Sequence, residues 1–442
     1  MKNRVALHTL GCKLNFSETS SLGSQFLNRD FEIVKFDDKP DIFIFNTCTV
    51  TENAEKECRQ LVRRALRINP EAFIIVTGCY AQLRPEEIST IAGVDVVLGS
   101  NEKFKLFSII ENFEKKDLAC IHVSPTDQLN EFGSSSSSDA DTRTRAFFKI
   151  QDGCDYKCSF CTIPLARGAS RSMNFDAAID DFKRLVSEGY KEIVLTGVNV
   201  GDYGSKNQST LFSLLKKLIK IEGEFRIRIS SIEPNLLTDE IISLTADNEK
   251  LCNHFHVPLQ SGSDNILRLM KRRYTTSDYE KVIDKASQKI KDLAIGVDVI
   301  VGFPGEGVED FLTTQNFLSD LPISYLHVFT YSERPNTKAI DLSNVVPVVE
   351  RKKRNKILRI LSDKKKNQFY QSMVGKQLRV LFEEENHSGK MKGFSSNYVR
   401  VHRDYDHSLV NTFNKILISN YEEGLCEGQI LEKKFSIDLI HI

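Results

Sequence analysis

Residues 146–164 read AFFKIQDGCDYKCSFCTIP. The opening AFFKIQ is an apolar-rich run that gives way to Asp152 and Gly153, the pattern of a buried strand ending in a loop. Three cysteines crowd that loop, Cys154, Cys158 and Cys161, spaced CxxxCxxC. Zinc is usually held by two separated Cys/His pairs. Here three thiols fall within eight residues and no fourth ligand is near. Three thiolates on a cubane 4Fe–4S cluster would leave one iron open to a substrate or cofactor.

Downstream, strand-then-helix units repeat. Strands are expected at EIVLTG (192–197), RIRISS (226–231), HFHVPL (254–259), IGVDVIVG (295–302) and ISYLHVFTY (323–331). Helices are expected near 176–188, 210–220, 238–246, 277–290 and 306–319. With the strand at 146–151 this makes six β/α repeats, which predict a parallel barrel, complete or open. Active sites in such barrels gather on the loops after the strands, where Gly153, Gly197, Gly262 and Gly302 fall.

Upstream, RVALHTL, DIFIFN, AFIIVTG and VDVVLGS read as buried strands separated by helices at 17–27, 52–68 and PEEISTIA. Near-continuous apolar strands alternating with amphipathic helices predict an open parallel sheet covered on both faces. Cys12, Cys48 and Cys79 each fall just past a strand's carboxyl end, the edge at which such sheets bind ligands. Three thiols far apart in sequence are thus expected to converge. Cys58, Cys120, Cys252 and Cys426 are scattered and read as inert thiols.

The domain plan is then 1–125 for the open sheet, 126–143 for a serine-rich linker containing GSSSSSDAD, 144–372 for the barrel, and 373–442 for a small all-β unit. Arg351 to Arg379 carries 11 Lys/Arg against one acidic residue, Asp363. Strand-like runs QLRVLFE, NYVRVH, KILISNY and GQILEKKF follow, punctuated by glycines. A basic face with exposed aromatics at Tyr370, Phe394, Tyr398 and Phe413 would suit a nucleic-acid backbone and its bases.

Composition excludes several classes. At 442 residues, 40% hydrophobic and 27% charged, the chain has the profile of a soluble globular protein of two or three domains. No run of 18 apolar residues exists to span a membrane, and MKNRVALHTLGCKLN lacks the apolar core of a secretory signal. Lys+Arg and Asp+Glu are both 60, so only a local basic cluster predicts a polyanionic partner. Ten cysteines without a secretory signal point to metal or redox chemistry in a reducing, cytoplasmic compartment.

DGCDYKCSFCTIP resembles the signature of the radical S-adenosylmethionine (SAM) superfamily. That resemblance implies a cluster on Cys154, Cys158 and Cys161 whose open iron binds SAM, with reductive cleavage giving a 5′-deoxyadenosyl radical. By motif it implies a SAM cradle from Gly197 and Asn199 (LTGVN), Ser230 and Glu233 (RISSIEP) and Gln260 (HVPLQSGS). TLGCKLN, NTCTVTENAEKECRQ and VTGCYAQ resemble the N-terminal domain of methylthiotransferases. There Cys12, Cys48 and Cys79 would hold a second 4Fe–4S cluster carrying the sulfur to be delivered. VGKQLRVLFEE and GKMKGFSSNYVRVH resemble the RNA-binding barrel called TRAM.

Of three methylthiotransferase branches, GCKLN, NTCTVT and LHVFTYSERPNTKA are most similar to the one acting on threonylcarbamoyl-adenosine in tRNA. It modifies C2 of N6-threonylcarbamoyladenosine at position 37, next to the anticodon. The resemblance implies a tRNA anticodon stem-loop as partner and a reductant such as flavodoxin or ferredoxin. The alternatives are isopentenyl-adenosine in tRNA, a ribosomal-protein aspartate, and a metal-stabilised RNA-binding protein without catalysis. Arg167 and Arg171 are candidates for the threonylcarbamoyl carboxylate, with phosphate contact or a surface position as the competing reading. The serine-rich insert and Gly307 in FPGEGVEDF depart from the family pattern.

Overall fold

The computed structural model describes residues 3–48, 52–129, 131–136, 144–207 and 209–430. The N-terminal unit runs β1 (Arg4–Thr9), α1 (Lys13–Leu27), β2 (Glu32–Ile33), β3 (Ile42–Thr47), α2 (Glu52–Ile68) and β4 (Phe73–Gly78). It continues through α3 (Cys79–Leu83), α4 (Pro85–Ser89), β5 (Val96–Leu98), α5 (Leu106–Ile109) and β6 (Cys120–His122). The strands form one parallel sheet in the order β2-β1-β3-β4-β5-β6. Its central strands IFIFNT and FIIVTG are buried at every residue, because helices cover both faces.

The serine-rich stretch is partly regular structure. Ser135 and Ser136 form β7, pairing antiparallel with β8 (Arg145–Lys149), and the Ser135 hydroxyl lies 3.1 Å from that of Ser17. The rest of the run, 137–143, lies outside the described residues.

After β8 come β9 (Gln151–Asp152), α6 (Ile163–Arg167), β10 (Arg171–Ser172), α7 (Phe175–Ser187), β11 (Glu192–Thr196), α8 (Leu211–Leu218) and β12 (Arg226–Ile229). Then follow α9 (Asp239–Ala246), β13 (His254–His256), α10 (Asp264–Leu269), α11 (Thr276–Lys289), β14 (Ala294–Val301), α12 (Val308–Asp320) and β15 (Tyr325–Thr330). Parallel pairing runs β8-β11-β12 and β13-β14-β15, and bridges Ile227–Leu251 and Ser231–His256 join the halves. The six parallel strands make an open barrel whose lumen side and helix layer share one apolar core.

The basic segment is α13 (Val348–Gln371), which packs across β14 and β15. Its basic residues are not uniformly solvated. Arg351 pairs with Glu333, and Arg354 with Glu306, both arginines buried. Last comes a closed TRAM-like barrel of β16 (Gln377–His387), β17 (Lys390–Ser395), β18 (Arg400–Asp404), β19 (Phe413–Glu422) and β20 (Leu425–Ile430). The part of the expected last strand beyond residue 430 lies outside the described residues.

The aromatics expected on the exposed face of this barrel are placed elsewhere. Tyr370 belongs to the barrel's apolar core. Phe394 and Tyr398 stack at 4.7 Å, with Arg145 and Arg400 over Phe394 and Arg228 over Tyr398. Phe413 lies beneath Arg226 and Arg379. The cause is docking. Glu192 holds Arg226 and Arg228 on β12, and those guanidinium groups donate to the carbonyls of Arg379, Phe394, Ser395 and Ser396. Burying an arginine requires that its donors find acceptors, and the barrel's backbone supplies them.

Candidate active site

The N-terminal cysteines sit where strands turn into helices. Cys12 is the N-cap of α1, Cys48 follows β3, and Cys79 opens α3 directly after β4. Two glycines make the approach possible. A Cβ on Gly11 (φ +102) would lie 2.6 Å from Cys48 Cβ, and one on Gly78 (φ +98) would lie 2.3 Å from the Thr47 carbonyl. Asn15 ties the loops together, its Nδ2 donating to the carbonyls of Leu10 (2.9 Å) and Thr47 (3.0 Å). Asn46 returns the bond to the Asn15 carbonyl at 2.9 Å.

Asn15 also reaches the second unit, since Arg167 Nη2 donates to its Oδ1 at 2.7 Å. Arg167 closes α6, which begins two residues past Cys161 and packs beside α3, the helix that Cys79 opens. The arginine is 2% exposed and pairs with Glu18 (2.9 Å) and Asp152 (3.0 Å). Neither the carboxylate-binding nor the surface reading of Arg167 survives. Arg171 is half-buried, pairs with Asp152 at 3.5 Å and donates to backbone carbonyls of Arg167 and Ala169. Lys103 and Lys149 complete the hub, meeting Glu18 at 2.6 and 3.0 Å. Burial opposes the charge of Glu18, but Arg167, Lys103 and Lys149 hold its carboxyl well below the usual range.

In the barrel unit, Gly153 (φ +69) lets the cysteine loop press against Gly168–Ala169, where a Cβ would lie 2.1 Å from the Ala169 carbonyl. Cys154 N–H donates to the Gly168 carbonyl at 3.0 Å, and Ser159 is pinned to the end of α10 through Leu269 and Met270. Burial pushes the Cys154 thiol up to about 11 and that of Cys161 up to about 12. Such thiols release their protons when a metal takes the sulfur. Arg272 Nη1 donates to Cys158 Sγ at 3.0 Å and its Nη2 donates to Glu233.

Of the expected SAM residues, Gly197, Asn199, Glu233 and Gln260 are tied to this loop or line a cavity with it. Gln151 accepts from Asn199 N–H (2.9 Å) and donates to the Gly153 carbonyl (2.8 Å), so LTGVN is bound to the cysteine turn. A Cβ on Gly197 would meet Gln151 Oε1 at 2.8 Å. Ser230 ends β12, its N–H bonded to the Leu195 carbonyl. Gln260 holds φ +72, a conformation an L side chain adopts only under constraint. It lines a cavity of about 1010 Å³ with Cys161, Asp298, Arg334, Lys352 and Arg359. Gln151, Arg272 and the Glu18 hub had no local signal in the sequence, because their partners lie far away along the chain.

Residues 148–318 match the model of the radical SAM superfamily, and residues 4–99 match one described as uncharacterized protein family UPF0004. A threonylcarbamoyladenosine tRNA methylthiotransferase of Aquifex aeolicus is 40% identical, covering 91% of this chain and 97% of the relative. The chain belongs to the radical SAM methylthiotransferase family. The Bacillus subtilis protein of the same description is 37% identical, over 97% of this chain and 96% of its own. A tRNA-2-methylthio-N(6)-dimethylallyladenosine synthase of A. aeolicus is 32% identical over 98% and 99%. Among solved structures, the radical SAM methyltransferase TsrM from Kitasatospora setae shares the fold. Its TM-score is 0.56 at 14% identity, covering 87% of this chain and 79% of that one.

This methylthiotransferase is an enzyme that uses SAM and two 4Fe–4S clusters. Its residues fit those groups on three counts. Among the described residues, neither cysteine set gathers its sulfurs within 4.8 Å of one another, whereas thiolates on one tetrahedral zinc would sit roughly 3.8 Å apart. Among the described residues, the hub at Cys79 sets buried Lys103, Lys149 and Arg167 and half-buried Arg171 against Glu18 and Asp152. That surplus of positive charge calls for anionic neighbours, which thiolates would supply. Thirdly, Asn199 is 4% exposed and neither polar atom of its carboxamide has a partner. A buried amide left so is costly unless a ligand completes it.

Proposed function

We propose that this enzyme installs a methylthio group at C2 of N6-threonylcarbamoyladenosine at position 37 of tRNA. Cys154, Cys158 and Cys161 hold one 4Fe–4S cluster, and Cys12, Cys48 and Cys79 the other. Bound there, the first supplies an open iron and an electron for SAM cleavage, and the second carries the sulfur. The observation that carries this reading is the Asn15–Arg167 contact, which ties the two cysteine loops through one buried side chain. Reacting groups held on one rigid frame gain the orientation that dominates such chemistry.

The chain's own residues bind and orient. Arg272 fixes Cys158 and Glu233 against each other, and Asn199 offers a donor and an acceptor to SAM. Lys352 and Arg359, on α13, bring cations to the wall of the 1010 Å³ cavity, where they neutralise tRNA phosphate. An electron donor of the flavodoxin or ferredoxin kind completes the system. No helix among the described residues is long and apolar enough to cross a membrane, and the substrate places the enzyme in the cytoplasm.

Nucleoside mass spectrometry of tRNA from a host lacking its own enzyme tests the reading. Expression of this chain should convert threonylcarbamoyladenosine into a species carrying methylthio in place of hydrogen. A shift in isopentenyl-adenosine instead would move the enzyme to the other tRNA branch, and no shift would remove tRNA as substrate.

Asn199→Leu gives a second test with opposed readouts. Replacing an unpartnered buried amide by an apolar side chain with the same number of heavy atoms should leave the melting temperature unchanged or higher, because an orphaned polar group costs about 1–3 kcal/mol. Loss of its bonds to ligand should weaken SAM about tenfold or more by calorimetry on the reconstituted enzyme. Unchanged SAM affinity would remove Asn199 from the cradle.

A further inference from the structure

His256 on β13, Asp298 on β14 and His327 on β15 come from three adjacent parallel strands, with Asp298 and His327 directly paired in register. Their side chains meet inside the open barrel. His256 Nε2 lies 2.9 Å and His327 Nδ1 3.3 Å from the same atom, Asp298 Oδ1, and all three atoms lie within 4.8 Å of one another. Ligands on one zinc-like ion with bonds near 2.1 Å stand roughly 3.0 to 3.4 Å apart. Two imidazoles aimed at one carboxylate oxygen require a proton in each gap or one cation shared by all three.

A second feature favours the cation. The other ring nitrogen of His256 is engaged by the Ser231 hydroxyl at 2.6 Å, the outer partner that fixes the ring of a metal-bound histidine. Two histidines and one carboxylate also form a donor set that leaves coordination positions open. The direction of those positions is given by the surroundings. Asp298 lines the large cavity with Cys161 and Gln260, and the His327 side chain is 52% exposed.

We propose that His256, Asp298 and His327 bind one divalent cation of zinc-like character. Its open positions face the cavity and take the carboxylate of the substrate nucleoside. The second half rests on the function proposed above, since threonylcarbamoyladenosine carries a carboxylate and isopentenyl-adenosine does not. The site is distinct from both cysteine sets, and it supplies the cationic partner that Arg167, locked in the hub, does not.

The test is elemental analysis of tag-free reconstituted holoenzyme equilibrated with zinc chloride and desalted. The expected result is one zinc per chain beyond the cluster iron, lost in both Asp298→Asn and His327→Ala with cluster iron unchanged. Equal zinc in wild type and His327→Ala, or none in either, would overturn the site, and the exposed His327 makes that variant safe for folding. The recognition role is read separately. Zinc should lower the KM for threonylcarbamoyl-tRNA about tenfold in wild type and not in His327→Ala, the size expected for a charge-assisted contact. Bound zinc without that change would overturn the carboxylate assignment alone, and the tRNA mass spectrum decides the function independently of both.

Discussion

Cys158→Ala should reduce SAM cleavage and methylthiolation to background, whereas Cys48→Ala should abolish methylthiolation and still release 5′-deoxyadenosine. The asymmetry follows from where the two thiols sit. Cys158 lies in the loop that Gln151, Ser159 and Arg272 hold at the mouth of the barrel. Asn199 through Gln151 and Glu233 through Arg272 are joined to that loop. Cys48 is buried against Gly11 in the other unit, at the end of β3. Its replacement removes one sulfur from a packed site, a loss of roughly 1 kcal/mol in packing, and leaves the barrel untouched. Anaerobic assays with separate quantitation of 5′-deoxyadenosine and modified nucleoside distinguish the two. Full product from Cys48→Ala would end the two-cluster assignment, and loss of SAM cleavage in that variant would mean that the N-terminal set is needed for the first step too.

The large elements and both cysteine sets were legible because their signals are local. Buried parallel strands such as IFIFNT and FIIVTG are continuous apolar runs, and the cysteines mark strand ends. The short strands Glu32–Ile33 and Cys120–His122 were not legible, since two or three residues carry no period. Polar residues misled wherever a distant partner decided their place. Arg167 reads as a solvated cation until Glu18, 149 positions away, is brought to it. Phe394, Tyr398 and Phe413 read as a stacking surface until Arg145, Arg400, Arg228 and Arg226 cover them. HFHVPL reads as an apolar strand, yet alternation places His256 on the lumen side opposite Asp298. In each case a buried charge chose the arrangement, and charge pairing has no sequence periodicity.

Glu18→Gln should be the most damaging single change away from the cysteines. The carboxylate is 0% exposed and meets Lys103, Lys149 and Arg167 at once. Two of those cations belong to the barrel unit and one to the N-terminal sheet, so Glu18 holds the interface by its charge. An amide keeps the shape and removes the charge. Lys149 and Arg167 then keep Asp152 as their charged partner while Lys103 loses its carboxylate, and breaking a buried ion pair from one side costs about 3–5 kcal/mol. The same argument gives a pH dependence. The folded pKa of Glu18 lies below its unfolded value of about 4.3. Its contribution is therefore complete above that pH and is lost as pH falls through it toward the folded pKa. Urea unfolding followed at neutral pH should show a lowered midpoint for the variant, and limited proteolysis should cut between the units. Acidification of wild type below about pH 4 should reproduce both changes. A variant with an unchanged midpoint would mean that apolar contacts, such as Phe16 against Phe147 at 5.6 Å, carry the docking and that the hub is tuned to the charge of Cys79 instead. If the midpoint falls, product per SAM cleaved should fall with it, because the sulfur and the radical must meet within a few ångströms and the hub around Glu18 and Arg167 helps to fix the distance between the two cysteine loops.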